Sequence, residues 1–146
     1  MINYNSKEEI DKRASQEDPI VMYLIVNEEL NMSIGKTGAQ CAHGAQILLL
    51  KNIQEQKDMM SASSPYEQER FDLFNDWLNN SFRKVVLKAS KQEWNRLIEE
   101  LPINDYSIVI DAGLTEIATG SNTVLAVMPM YKSKVPKCIK RLQLLK

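Results

Sequence analysis

Three polar side chains on one predicted helix have types and spacings suited to chemistry. Lys36, Gln40 and His43 follow one another at intervals of four and three residues, in a segment otherwise rich in alanine and leucine. At about 100° per residue, these positions share one face of a helix. An ammonium, an amide and an imidazole on one face could bind an anion or transfer a proton. Spacing alone favours a solvated face, and a single histidine is more often structural.

The start of the same helix reads Gly35-Lys36-Thr37, which matches the end of a phosphate-binding P-loop. A complete P-loop has another glycine five residues before Gly35, but position 30 is Leu30. The sequence therefore argues against binding of a nucleoside triphosphate. A phosphate group could still approach this helix N-terminus, where backbone N–H groups and the helix dipole favour anions.

A second polar region begins late in the chain, directly after an apolar run. Asp111 follows the run 106–110 and precedes Ala112-Gly113, and hydroxyl and acidic side chains continue to Thr123. A carboxylate there is either functional or shapes a turn. The chain has one histidine, and no Ser-His-Asp arrangement is recognisable. Its two cysteines lack CxxC spacing, so we expect no metal and no cofactor.

Apolar and amphipathic segments alternate around these residues. The run 20–26 predicts a strand buried on both faces, and shorter strands are predicted at 84–87, 106–110 and 123–128, the last ended by Pro129. Helices are predicted from Gly35 to about Asn52, over 66–78, and from a Ser90 cap to Glu100. Residues 54–65 are predicted to be a linker, and 134–145 a short helix or tail.

This alternation predicts an α/β protein, a single-domain layered fold with a mixed sheet of about four strands and helices on both faces. Ligands of such open sheets bind beyond the carboxyl ends of the strands. The loop after Val26, which leads to Gly35, and the Asp111 turn should therefore line one site.

Length and composition are those of one soluble domain of 146 residues. Residues 1–18 are polar and predict a flexible N-terminal arm with a short helix around Glu8–Arg13, followed by a domain over 19–146. The net charge of −1 gives no overall basic signature, although the last segment is purely basic. No apolar stretch approaches the roughly 20 residues that span a bilayer, so we expect a cytoplasmic protein without a membrane segment.

Three ordered motifs resemble those of the archaeal/eukaryotic-type (type 2) peptidyl-tRNA hydrolases. They are the segment 35–44 with its Gln-Cys-Ala-His run, the Asp-Ala-Gly motif at 111–113, and the Gly-to-Thr-Val-Leu-Ala motif at 120–126. Trp77, residues 84–88 and the closing residues 142–145 also match in order and character. The resemblance covers about residues 20–146. It implies hydrolysis of the ester between peptide and tRNA, with peptidyl-tRNA as partner, and a homodimer.

The same resemblance implies roles for individual residues. Lys36, Asp111 and Thr123 match the residues most often implicated in catalysis, and Thr115 would assist. Asp111 would position or deprotonate water, while Lys36 would keep Asp111 ionised and stabilise negative charge on the substrate. Thr123 would donate a hydrogen bond.

We expect five further residues to bind substrate: Gly35, Gln40, His43, Lys84 and Lys88. The first three would orient the substrate or shape the pocket. Lys84 and Lys88, together with the basic C-terminal segment, would contact tRNA phosphates, so that binding weakens with salt.

Departures from the family pattern leave alternatives open. Leu114 stands where the family usually has arginine, and Thr37-Gly38 replaces a more usual apolar-alanine pair. One alternative is a catalytically inactive module of the same fold that binds tRNA or protein. Another is a hydrolase of a different acylated nucleotide. A third is an interaction domain using the face 71–78, although that stripe is more typical of a core.

Overall fold

The structure, a computed structural model, describes residues 6–58, 64–113 and 117–146, and within them five strands form one mixed sheet. The strands are β1 (Ile20–Asn27), β2 (Arg83–Ala89), β3 (Tyr106–Ile110), β4 (Asn122–Tyr131) and β5 (Gln143–Leu144). Their order is β3-β4-β1-β2-β5, with β1 and β2 parallel and all other neighbours antiparallel. Strands β1, β2 and β3 therefore end at one edge of the sheet, where β4 begins. We call this the carboxyl edge, and the opposite one the amino edge.

Five α-helices accompany the sheet in the described ranges. They are α1 (Lys7–Ala14), α2 (Ile34–Asp58), α3 (Pro65–Asp76), α4 (Lys91–Glu100) and α5 (Lys137–Lys140). Short 3-10 turns occur at Glu28–Leu30, Ile103–Asp105 and Lys132–Lys134, and a π-helical turn, Trp77–Ser81, follows α3. No helix in the described part of the chain is long and apolar enough to cross a membrane.

Strand β1 is buried on both faces, as its continuous apolar sequence predicts. Val21, Tyr23 and Ile25 pack in one core layer with side chains of α4 and α5. The alternate residues of β1 pack in the other layer with side chains of α2 and of the α3 region. Helices thus cover both faces of the sheet, which confirms the predicted architecture.

Helix α2 approaches the sheet most closely at Gly44. A Cβ atom at this position would lie 3.1 Å from the Cβ of Ala126 and 3.4 Å from side-chain atoms of Leu24 and Val124. A larger residue would push the helix outward, because the neighbouring atoms belong to the packed sheet. Gly44 therefore sets the distance between α2 and the sheet, and with it the position of the polar side chains of α2 beside β4.

Two predicted boundaries were wrong. Helix α2 does not end near Asn52 but continues to Asp58, because residues 53–58 contain no glycine or proline and Gln54 bonds Asp58 one turn later at 2.8 Å. The predicted linker is therefore helical over 54–58, and residues 59–63 lie outside the described residues. Strand β4 does not stop at Pro129, because the β1–β4 pairing is irregular there and an irregular position tolerates the missing N–H.

The C-terminal end differs in detail from the prediction, whereas the short helix predicted around Glu8–Arg13 is confirmed as α1. Residues 134–145 form helix α5 and the short strand β5, so Ile139 and Leu142 are buried but Leu145 is 37% exposed. At the other end, Ser6 caps helix α1. The segment contacts the domain, since Gln16 donates to the carbonyl oxygen of Asn80 at 2.8 Å. The division into an arm and a domain stays a prediction.

Candidate active site

Lys36 and Asp111 meet at the carboxyl edge of the sheet. Lys36 lies in the first turn of α2, where the hydroxyl of Ser33 accepts a hydrogen bond from its backbone N–H at 3.2 Å. Asp111 directly follows β3. The ammonium Nζ lies 2.6 Å from Oδ1 of the carboxylate, and the two side chains are only 10% and 4% exposed. The helix start that follows the loop after β1 and the turn that follows β3 therefore meet in one ion pair, as the sequence predicts.

Gln40 links this ion pair to Thr123. Its amide nitrogen donates to Oδ1 of Asp111 at 3.1 Å, and its amide oxygen lies 2.6 Å from the hydroxyl oxygen of Thr123. The hydroxyl has one proton, and the carbonyl oxygen of Val109 is farther away at 3.2 Å. Thr123 therefore donates to Gln40, which fixes the amide orientation with its N–H group toward Asp111. Both Gln40 and Thr123 are buried.

The second carboxylate oxygen of Asp111 is held by the turn that follows it. The backbone N–H of Gly113 donates to Oδ2 at 2.6 Å. Gly113 has a φ of 72°, a left-handed conformation that favours glycine, and a Cβ there would lie within 2.2 Å of Oγ1 of Thr119. This geometry explains why the Asp-Ala-Gly motif ends in glycine.

Backbone hydrogen bonds also close the base of this turn. The N–H of Asp111 donates to the carbonyl oxygen of Ser121, and the N–H of Gly120 donates to the carbonyl oxygen of Asp111, both at 2.9 Å. Asp111 is therefore fixed by its main chain as well as by its side chain, next to the start of β4.

The surroundings of Asp111 lower its pKa below the ordinary value of 3.8. The largest cause is the hydrogen bond from Lys36, which outweighs the opposing effect of desolvation. The N–H of Gly113 and the positive charges of Lys36 and His43 act in the same direction. The carboxylate is therefore ionised throughout the neutral range, and so low a pKa makes it a weak base.

Gly35 and His43 lie on the same helix as Lys36, and both are exposed. The described structure shows no hydrogen bond from either residue to Lys36 or Asp111. His43 follows Gln40 by one turn, and Gly35 precedes Lys36 in the first turn of α2. A Cβ at Gly35 would meet nothing within 4 Å, so space is available beside it. Both residues border the carboxyl edge, where a substrate could contact them.

The structure separates the two lysines of β2. Lys88 pairs in register with Val26 near the carboxyl edge, and its ammonium lies 3.3 Å from Oε1 of Glu28. Lys84 lies four residues earlier, about 13 Å along the strand at 3.3 Å per residue. Its ammonium donates to the carbonyl oxygen of Phe82 at 3.1 Å and sits over the ring of the same residue, and burial lowers its pKa. Lys84 is therefore not part of the Lys36–Asp111 cluster.

Thr115 and Leu114 lie outside the described residues. In the described part of the chain, no group of three or more His, Cys, Asp or Glu residues could hold a metal ion.

Two further groups contribute to the site and were not predicted from the sequence. The backbone N–H of Gly113 is one of them. A positive φ directs this N–H toward Asp111, and in the sequence only the presence of a glycine indicated that conformation. The other is Asn27 at the end of β1, whose amide donates to the carbonyl oxygen of Asn122 at 2.9 Å. This bond ties the loop after β1 to the start of β4, next to Thr123. A polar residue closing an apolar strand could have identified it.

The arrangement suits stabilisation of negative charge at a largely dehydrated site. A lysine ammonium, held in place by an ionised carboxylate, can interact with an oxygen on which charge develops. The hydrogen bonds Thr123 to Gln40 and Gln40 to Asp111 keep the carboxylate from turning. These features suit an acyl-transfer or hydrolysis reaction.

Comparison with known proteins identifies relatives over most of the chain. The family model described as peptidyl-tRNA hydrolase PTH2 matches residues 20–145. A peptidyl-tRNA hydrolase of Thermococcus sibiricus is 34% identical over 125 residues, which cover 83% of this chain and 93% of the relative. A mitochondrial peptidyl-tRNA hydrolase 2 of Bos taurus is 32% identical over 128 residues, covering 84% of this chain and 63% of the relative. The matched segment contains the whole Lys36–Gln40–Asp111–Thr123 cluster, and the chain belongs to the peptidyl-tRNA hydrolase PTH2 family.

Proposed function

We propose that the protein hydrolyses the ester bond between peptide and tRNA in peptidyl-tRNA, with Lys36, Gln40, Asp111 and Thr123 acting as one unit. Family membership supports the reaction. The contact between Lys36 and Asp111 is the single observation that supports the site, because it joins residues 75 positions apart at the edge where ligands of such sheets bind.

Lys36 is the group that we assign to the transition state. Attack of water on the ester carbonyl places negative charge on the carbonyl oxygen, and a positioned ammonium stabilises that charge most effectively where water is scarce. Asp111 holds the ammonium in place through their 2.6 Å contact.

Asp111 is better suited to orient the attacking water than to remove its proton at the outset. Each carboxylate oxygen has two lone-pair sites. Oδ1 accepts from Lys36 and Gln40, whereas Oδ2 accepts from Gly113, which leaves one site on Oδ2 within the described structure. A water bound there would lie beside the ammonium. Because the pKa of Asp111 is low, we assign final uptake of the proton to the ribose oxygen, which becomes basic as the C–O bond breaks.

Thr123 acts in this proposal through Gln40, because its hydroxyl is buried and donated to the amide. We also propose that Thr115 assists. We assign substrate contacts to Gly35 and His43, which are exposed next to the ion pair.

Phosphates of the tRNA would contact basic residues beyond the ester. Lys88 and the end of the basic C-terminal segment are the best placed, because Gln143 of β5 pairs with Lys88 near the carboxyl edge. Lys140 and Arg141 precede this strand and are exposed. Lys84 is included only as a contact distant from the ester.

A single-turnover assay tests the catalytic assignment. N-acetylated aminoacyl-tRNA carrying a labelled amino acid is mixed with excess protein, and release of the label is followed. Lys36→Met and Asp111→Asn should each slow release by at least about 100-fold. The matched controls Lys57→Met, on the same helix, and Asp105→Asn should retain the wild-type rate. Circular dichroism shows whether each variant is folded.

Near-wild-type release by folded Lys36→Met and Asp111→Asn would reject these roles. Competition by deacylated tRNA then separates the substrate classes. Strong inhibition supports recognition of the tRNA, whereas its absence supports a hydrolase of a smaller acylated nucleotide. A wild-type protein that binds tRNA without releasing the label would be the inactive binding module.

A homodimer and a cytoplasmic location complete the proposal. Strand β3 is an outer strand of the sheet. Its last residue, Ile110, is 66% exposed, and Ile103, in the turn before the strand, is 77% exposed. Burial of such side chains favours association. Sedimentation equilibrium should show a dimer that Ile110→Lys weakens, and a monomeric wild type would reject it. Imaging of the tagged protein in its own cell tests the location.

A further inference from the structure

A cleft at the amino edge of the sheet has no part in the proposed reaction. It consists of three hollows of 210, 310 and 270 Å³ that share lining residues. They follow helix α3 along the end of β4, and we call them together the α3 cleft. Met130 and Tyr131 of its wall pair with the first residues of β1, whereas Asp111 lies at the other edge. The cleft and the catalytic cluster are therefore at opposite edges.

The floor of the α3 cleft is apolar because β4 is longer than β3. The last β3–β4 pair joins Tyr106 to Val127, so residues 128–131 have no strand beside them on that side in the described structure. Met128, Met130 and Leu73 of α3 line the hollow left there, and Tyr66 beside them is 59% exposed. Methionine side chains are flexible and polarisable, and they adapt to varied apolar partners.

The rim of the α3 cleft is acidic. Glu69, Asp72 and Asp76 project from α3 at spacings of three and four, which places them on one side of the helix. Asp105 adds a carboxylate at one end of the cleft, and Glu17 and Asp18, in the segment before β1, add two at the other end.

These six carboxylates form no ion pairs with other described residues. Asp18 is the most engaged of them, because Ser133 donates hydrogen bonds to both of its oxygens at 2.9 and 2.7 Å and Lys134 acts on it electrostatically. The described lining includes two cations. Arg70 is already engaged, 3.9 Å from Glu55 and donating to the carbonyl oxygen of Asn104 at 2.7 Å, and Lys134 lies at the edge beside Tyr131. The cleft therefore has an excess of negative charge around an apolar floor.

We propose that the α3 cleft binds a cationic peptide segment of a partner protein. An apolar side chain of that segment fills the Leu73–Met128–Met130 hollow, and flanking lysine or arginine side chains meet the carboxylates of α3. The three connected hollows suit a segment of several residues better than one compact molecule. A nucleic acid is disfavoured because its phosphates would be repelled by the rim.

Selection of random twelve-residue peptides displayed on phage, with the full chain as target, tests this inference. The selected peptides should combine large apolar residues with lysine or arginine. The strongest is then synthesised with a fluorescent label, and its affinity is measured by anisotropy. Glu69→Lys/Asp72→Lys should weaken binding at least about tenfold, because two attractive contacts become repulsive.

A matched variant controls for total charge. Glu8→Lys/Glu99→Lys changes the net charge by the same amount on exposed surfaces of α1 and α4, and should leave the affinity within about twofold. Both double variants should hydrolyse peptidyl-tRNA at the wild-type rate.

Three outcomes would overturn the proposal. They are selected peptides without a cationic bias, equal weakening by both double variants, and a peptide that Glu69→Lys/Asp72→Lys still binds fully. The cleft would instead belong to a dimer interface if the selected peptides show no cationic bias and sedimentation equilibrium shows that the Glu69→Lys/Asp72→Lys variant, but not its matched control, no longer forms a dimer.

Discussion

Two substitutions at Thr123 separate its hydrogen bond from its packing. Thr123→Val keeps the shape of the side chain but removes the proton donated to Gln40. The amide oxygen of Gln40, which lies 2.6 Å from the hydroxyl, would be left buried without that donor. Such a loss costs about 1–3 kcal/mol of folding free energy. Thr123→Ser keeps the donor and removes one methyl group, which costs about 1 kcal/mol.

The two variants should therefore lose similar stability but differ in activity. In Thr123→Val the amide of Gln40 is no longer held with its N–H toward Asp111. If the 1–3 kcal/mol appears in the transition state, hydrolysis slows about 5- to 150-fold. Thr123→Ser should stay within about threefold of the wild type, because the donor remains.

Urea denaturation measures the stability of both variants, and single-turnover release of label from N-acetylated aminoacyl-tRNA measures their activity. Equal activity of Thr123→Val and the wild type would refute the role of Gln40 as a link. Equal loss in both variants would show that packing, and not the hydrogen bond, is what Thr123 contributes.

Three further predictions test the surroundings of the site. The lowered pKa of Asp111 stabilises the folded protein at pH values above the unfolded pKa of about 3.8, and this stabilisation is lost as the pH falls through the folded pKa. An NMR titration of the Asp111 carboxyl group should give a midpoint below 3.8, and Lys36→Met should raise that midpoint. Gly44→Val should destabilise the protein by about 1–3 kcal/mol in urea and slow hydrolysis, because α2 must move away from Ala126; an unchanged rate would show that the site tolerates the shift. Lys84→Gln should leave cleavage of a short acylated CCA fragment unchanged, and a large loss would place Lys84 at the ester after all.

Local patterns predicted most of the fold correctly. The run 20–26 is apolar at every position, and its length and β-branched residues favour a strand buried on both faces, which the structure shows. Ser90 with Glu93 three residues later marks the start of α4, and the structure shows both hydrogen bonds of that capping box. These features depend on neighbours a few residues apart, which a sequence displays directly.

The errors arose where distant contacts decide the outcome. Pro129 ends a strand by local rules, but its pairing with β1 is irregular and β3 begins opposite Val127, so in the described structure β4 continues through Pro129. The extension of α2 is a local exception, because residues 54–57 are good helix formers and Gln54 bonds to Asp58 one turn later.

The four side chains that the structure brings together at the candidate site were all named from the sequence, but the hydrogen bonds that connect them, and the contributions of Gly113 and Asn27, were not predicted. The spacing of Lys36, Gln40 and His43 indicated a common face, and the structure shows that this face splits into buried and exposed parts. Gln40 is central because two partners, 71 and 83 positions away, meet at its amide. Lys84 and Lys88 looked equivalent in the sequence, but one lies near each end of β2.

The closed base of the turn after β3 separates the position of the carboxylate from the side chains around it. The bonds that join Asp111 to Gly120 and Ser121 involve backbone atoms only. A substitution at Ser121 can therefore change the side chain presented beside the site while the main chain of Asp111 stays in place.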